Sequence, residues 1–165
     1  MRTLVFPGFG RQAIGVKLNR TKREFLLPRE PQRRQTMIGY ATLGTNNLAR
    51  ARAFYDALLT EIGAKRLMEL PHGFTMYGAK LDRPALAITP PYDGMEARPG
   101  NGNMLALVLK ERAKVDALYK KALELGGSDE GPPGVRGEEG PQAFYAAYFR
   151  DPDGNKLCAY RVGPG

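Results

Sequence analysis

A strand followed by an amphipathic helix occurs twice in this chain, 64 residues apart. Tyr55 falls on Tyr119, Ala53 on Ala117, Leu59 on Leu123 and Gly63 on Gly127; at the same offset the strand residue Tyr40 falls on Met104. No other feature constrains the fold as much, because a strand–helix unit used twice predicts two copies of one small module. Two modules side by side share a concave surface, and such surfaces are where ligands bind.

The chain has 165 residues, enough for one domain with a real apolar core. Its single cysteine, Cys158, excludes an internal disulfide framework and suits a reducing compartment. No apolar run approaches the roughly 18 residues of a membrane span. The opening segment also lacks the apolar block of a secretory signal, so a cytoplasmic location is expected. The formal net charge of +8 is unevenly placed. Residues 1–36 carry nine basic side chains against Glu24 and Glu30, whereas residues 37–165 carry 16 basic and 15 acidic ones. The high pI therefore belongs to a basic N-terminal extension punctuated by Pro7, Gly8, Gly10, Gly15, Pro28 and Pro31, which is read as a flexible solvated arm. Its readings are an extension upstream of a start at Met37, an organelle-targeting segment, or a tether to nucleic acid or another acidic partner. Phe25-Leu26-Leu27 could add a short strand to the domain or to a second subunit.

The domain is expected over residues 37–165, with modules at about 37–90 and 102–162. A strand over 37–43 leads to Thr45, Asn46 and Asn47, any of which can cap a helix. Leu48, Ala51, Phe54, Tyr55, Leu58, Leu59 and Ile62 then recur at helical spacing up to Gly63. Short strands follow at about 65–70, 74–79 and 84–89, and Pro90, Pro91, Gly94 and Pro99–Gly102 link the halves. The second half repeats the order: a strand at 103–109, a helical stripe through Val115, Leu118, Tyr119, Ala122 and Leu125, a Gly/Pro/Glu loop over 128–141, and strands at about 143–149 and 156–162. The fold class is α+β, two βαβββ modules forming a curved mixed sheet around a cup with the helices outside.

Chemical motifs are sparse. Gly100-Asn101-Gly102 precedes a strand, so it offers no row of helix N-terminal amides to a phosphate. Asp151-Pro152-Asp153-Gly154-Asn155 lacks the glycine spacing and distal Glu of a calcium loop and reads as a turn. Cys158 as a nucleophile would need a base, and the only histidine, His72, lies in the first-module hairpin. A small sulfur side chain packing or lining the cup is the plainer reading.

Taken in order, Leu43-Gly44-Thr45-Asn46-Asn47-Leu48, Arg52-Ala53-Phe54-Tyr55, Gly100-Asn101-Gly102, Val115-Asp116-Ala117, Gly126-Gly127, Gly131-Pro132-Pro133-Gly134 and Arg150 to Leu157 resemble the vicinal oxygen chelate superfamily. That superfamily includes glyoxalase I, bleomycin- and fosfomycin-resistance proteins and extradiol dioxygenases. The resemblance spans 37–162 and implies a cup formed by paired modules, often completed by dimerisation. Its metal-dependent members carry His, Glu or Gln on the first and last strands of the modules. Here Tyr40, Met104 and Cys158 stand at three of those positions, and the fourth, near Ile88 or Thr89, also lacks a carboxylate. A phenol, a thioether and a thiol do not complete a site for a hard or borderline divalent ion, so no metal and no cofactor is expected.

If Tyr40, Met104 and Cys158 face inward, strand alternation puts Thr42, Ala106, Val108, Lys156 and Tyr160 on their faces and turns Leu43, Leu105, Leu107 and Leu157 toward the helices. Phe74, Met76, Tyr145 and Tyr148 are further candidates for the lining, and Arg136 could clamp an anionic group at the rim. The expected ligand-binding set is Tyr40, Met76, Met104, Tyr145, Cys158, Tyr160 and Arg136. The expected function is binding of a small, partly apolar organic molecule by a homodimer. The alternative is a lyase, isomerase or dioxygenase that uses an unusual metal set or Tyr40 as general acid/base.

Overall fold

The computed structural model describes residues 37–164. The basic extension lies outside the described residues, and with it the nucleic-acid reading and the strand expected at Phe25-Leu26-Leu27. The first module consists of β1 (Tyr40–Gly44), α1 (Leu48–Thr60), β2 (Lys65–Glu69), β3 (Thr75–Gly78) and β4 (Ala85–Thr89). The second consists of β5 (Leu105–Val108), α2 (Arg112–Glu124), β6 (Ser128–Arg136), β7 (Phe144–Arg150) and β8 (Lys156–Val162). Both ends of α2 lie 64 residues beyond those of α1, the offset of the sequence repeat. The sheets repeat too, in the orders β1-β4-β3-β2 and β5-β8-β7-β6. In each, the first strand is parallel to the last and the other pairs are antiparallel. The expected curved sheet is thus two four-stranded mixed sheets, with no closed barrel. Among the described residues no helix is long and apolar enough to cross a membrane.

Local chemistry sets the helix ends. Asn47 adopts an extended conformation and its side-chain oxygen accepts from Arg50 N, satisfying one free donor of the first turn of α1. Ala51, Phe54, Tyr55, Leu58 and Leu59 form the buried stripe of that helix; Val115, Leu118 and Ala122 form that of α2. Gly127, after α2, has no room for a side chain: a Cβ there would lie 2.6 Å from the Arg150 carbonyl oxygen and 2.8 Å from that of Ala122. The two stripes and the facing sides of both sheets share one core cluster, into which Tyr77, Leu86, Ile88, Phe149, Leu157 and Ala159 also pack.

The segment expected to be a loop over 128–141 is different. Its first nine residues form the edge strand β6, paired antiparallel with β7. An edge strand bonds on one side only, so Pro132 and Pro133 cost it few ladder bonds. Register shifts between Asp129 and Gly131 and between Gly131 and Gly134 absorb the misfit. Strands β1 and β5 are also shorter than expected, starting at Tyr40 and Leu105.

The modules are tied together by the turn between β7 and β8. Asp151 is buried, and its carboxylate accepts from Tyr55 Oη at 2.7 Å, from Asn155 Nδ2 at 2.9 Å and from the backbone N–H groups of Asp153 and Asn155. Asp153, with a side chain 2% exposed, accepts from Thr45 Oγ1 at 2.7 Å, Asn46 N at 3.0 Å and Arg50 Nη2 at 2.9 Å. Asn155 donates to the Gly44 carbonyl at 2.9 Å. The end of β1 and the start of α1 are thereby anchored to the second module. Burial, reinforced by the Asp151 charge, holds the Tyr55 phenol pKa well above its usual value, so it stays a donor.

Replacing Asp151 by Ala removes the acceptor of four donor groups and should cost at least about 3 kcal/mol of unfolding free energy, while Tyr55→Phe should cost about 1–2 kcal/mol. Urea denaturation measures both; a loss below about 1 kcal/mol for Asp151→Ala would contradict the role given to the turn.

Candidate functional site

Alternation along each strand leaves one face of each sheet on the helices and the other open. On β1, Leu43 packs against the core, whereas Tyr40 and Thr42 are exposed. On β5 and the residue before it, Leu105 and Leu107 pack against the core, whereas Met104, Ala106 and Val108 are exposed. These open faces hold large apolar groups in contact with solvent: Tyr40 is 53% exposed, Met104 48% and Val108 69%. Tyr40 lies edge-on to Phe74, with ring centroids 5.8 Å apart, and Met76 stands between Ala87 and Met68 on the neighbouring strands. On the second sheet, Phe144 and Tyr160 pair across β7 and β8 at 5.3 Å.

Of the two candidate tyrosines on β7, the structure assigns opposite faces. Tyr145 packs against the core, donates from Oη to Asp116 of α2 at 2.8 Å and carries the Arg112 guanidinium on its ring. It belongs to the helix side, not to the open face, because it is an odd number of residues from Phe144 and Tyr148. Tyr148 shares a ladder position with Cys158 and has both Arg136 and Lys156 over its ring, at 5.3 and 5.6 Å from the centroid.

A groove of about 470 Å³ runs between β1 and the start of β5, lined among others by Thr42, Arg98, Asn103, Met104 and Lys156. An overlapping groove of about 540 Å³ shares Asn103, Met104 and Lys156 and reaches Arg150. The linker reaches this groove because the Asn46 side chain bonds both backbone polar groups of one linker residue: Nδ2 donates to the Ala97 carbonyl at 2.9 Å, and Oδ1 accepts from Ala97 N at 2.7 Å. That fixes Arg98 and Pro99 beside β1. Of the residues expected from sequence, Met104 lines both grooves; Tyr40, Met76, Cys158, Tyr160 and Arg136 line neither.

Cys158 is fully buried in the sheet. Burial pushes its thiol pKa up, opposed by the hydrogen bond with Tyr148 and the charges of Arg136 and Lys156. A protonated, enclosed thiol is a poor nucleophile and a poor ligand. Among the described residues there is no group of three or more His, Cys, Asp or Glu placed to hold a metal ion. With Tyr40 edge-on to Phe74 and the Cys158 thiol buried with its pKa raised, the phenol, thioether and thiol at the positions the resemblance implies are a poor fit to a hard or borderline divalent ion.

Sequence reasoning missed Glu130, Arg150, Arg98 and Asn103. Glu130 accepts from Arg150 Nε at 2.5 Å and from Lys156 Nζ at 3.1 Å, and the Arg150 bond, followed by that of Lys156, holds its carboxyl pKa below the usual value. Period-two spacing of Tyr148 with Arg150 carried the signal for one of them. Glu139 forms a two-pronged bond with Arg112 at 2.6 and 2.8 Å.

Residues 37–159 match the family model described as the Glyoxalase/Bleomycin resistance protein/Dioxygenase superfamily. Among solved structures, a glyoxalase/bleomycin resistance protein from Albidiferax ferrireducens T118 is 34% identical, with a TM-score of 0.68 over 76% of this chain and 99% of the other. A hypothetical protein, SA1046, from S. aureus is 23% identical, with a TM-score of 0.58 over 77% of this chain and 93% of the other. A glyoxalase-related enzyme from Fulvimarina pelagi is 21% identical, with a TM-score of 0.58 over 77% and 88%. Among curated proteins none matches by sequence.

The state of Cys158 is directly testable. In the folded protein at pH 8.5 an aromatic disulfide reagent should modify it at least about a hundredfold more slowly than in urea, as its burial and raised pKa require. Native labelling as fast as the unfolded rate would contradict the enclosure described.

Proposed function

The chain belongs to the Glyoxalase/Bleomycin resistance protein/Dioxygenase superfamily, and from that premise we propose that it binds a small, partly apolar organic molecule on the open faces of its sheets, without the superfamily's metal and as a homodimer. The observation that carries the reading is the exposure of Tyr40, Met104 and Val108 on faces the helices do not cover. Exposed apolar side chains gathered on one surface cost solvation free energy and mark binding or subunit contact. The groove beside Met104 mixes thioether and aliphatic surface with Asn103 amide and Lys156 ammonium groups, a lining suited to an amphipathic ligand. Sequestration asks only for affinity, and the thiol, thioether and phenol at the ligand positions favour soft contact over chelation.

The second copy covers the rest of these faces. Val108 and Val162 at the ends of β5 and β8 are exposed and apolar, as expected of a contact that a partner buries.

Light scattering at tens of micromolar should give the mass of a dimer, and Val108→Lys, a charge placed in the contact, should shift it toward monomer. A wild-type monomer would contradict the subunit proposal. Elemental analysis of protein purified without chelator should find less than about one metal per ten chains; stoichiometric metal lost on Tyr40→Phe or Cys158→Ser would contradict the metal-free reading and favour a lyase, isomerase or dioxygenase.

A further inference from the structure

The open face of the second sheet carries a surplus of positive charge. Arg136, Arg150 and Lys156 converge on the neighbourhood of Tyr148, and among the described residues Glu130 is the one carboxylate bonded among them. That carboxylate is divided between Arg150 and Lys156. Arg136 has no acidic partner among the described residues; its Nη2 donates to the Pro132 carbonyl at 2.6 Å, which fixes the guanidinium over Tyr148 while leaving other N–H groups free. Of the two acids that follow it in sequence, Glu138 forms no ion pair with it and Glu139 is held by Arg112. A cation lying on an aromatic ring is oriented without using up its hydrogen-bond donors. Lys156 also lines the groove that contains Met104, so the charge borders an apolar wall.

We propose that this cluster takes the oxyanion of a small apolar or aromatic acid, a carboxylate or a phosphate, with Arg136 and Lys156 as its donors and the apolar body lying along Met104. This rests on the ligand-binding reading above and narrows it to anionic ligands. The fixed positive charge stands on protein side chains, where it neutralises the ligand. Glu130 acts as an internal competitor: it occupies Lys156 in the free protein and must share that ammonium group with the incoming anion.

The competitor makes the proposal separable from a purely structural role for the cluster. The full chain is titrated calorimetrically at low salt with benzoate, phenyl phosphate and the neutral isostere benzamide. Benzoate or phenyl phosphate should bind at least about tenfold more tightly than benzamide. Arg136→Met and Lys156→Met should each lower the affinity for the anion about tenfold without changing that for benzamide, and Lys156→Arg should restore it. Glu130→Gln should raise the anion affinity, the opposite of what a loosened edge strand would do. Benzamide binding as tightly as both acids would overturn the anionic assignment and leave the apolar binding site standing. Failure of all three probes to bind would overturn both.

Discussion

The Asp151 carboxylate is the contact on which the arrangement of the two modules depends. Buried charge is expensive unless every lone pair is used, and this group has four donors around it: a phenol from α1, two backbone N–H groups and the Asn155 amide. Because one of those donors comes from the first module, the turn that closes the second module also fixes the first helix. Asp153 repeats the logic at the mouth of the same turn, bonding Thr45, Asn46 and Arg50. Asn46 in turn holds Ala97 by both its backbone N–H and its carbonyl, so the linker that walls the groove is positioned by the same anchor. A five-residue turn thereby connects core packing to the shape of the candidate site.

Beyond that anchor the chemistry of the site is a matter of what alternation leaves uncovered. One face of each sheet is occupied by a helix stripe, and the other presents Tyr40, Met104 and Val108 to solvent. Sulfur and aromatic surface supplies adaptable contact, while the Tyr148 cluster supplies charge. At two of the positions where the family resemblance implies metal ligands stand a buried thiol, Cys158, and an exposed thioether, Met104; in the proposed reading, affinity rests on packing and hydrogen bonding.

Much of this architecture was legible in the chain, for identifiable reasons. Each helix carries a 3.6-residue stripe bounded by a polar start and a glycine stop, and both appear where that pattern puts them. The turn of Leu43, Leu105, Leu107 and Leu157 toward the helices followed from period two once one residue of each strand was oriented. The edge strand β6 was not legible, because Pro132, Pro133 and two glycines imitate a loop and only pairing with β7 makes them a strand. Tyr145 could not be told from Tyr148, since two aromatic residues three apart fall on opposite faces and composition cannot orient them. The Glu130 contacts were equally hidden: a register shift, which no propensity records, lies between Asp129 and Gly131 on either side of it. The burial of Asp151 is a tertiary fact, since its partner Tyr55 is distant in sequence.

The six methionines supply a direct probe of whether the open faces are the binding surface, because Met68, Met76 and Met104 lie on them and Met95 lies on the linker. Methyl resonances of ¹³C-methionine-labelled protein, followed while benzoate is added, report the ligand's position without assuming a reaction. The account predicts a saturating shift of the Met104 methyl, with Met95 unmoved. Saturating shifts at Met95 alone, or none at Met104 at benzoate levels that saturate the calorimetric signal, would contradict it.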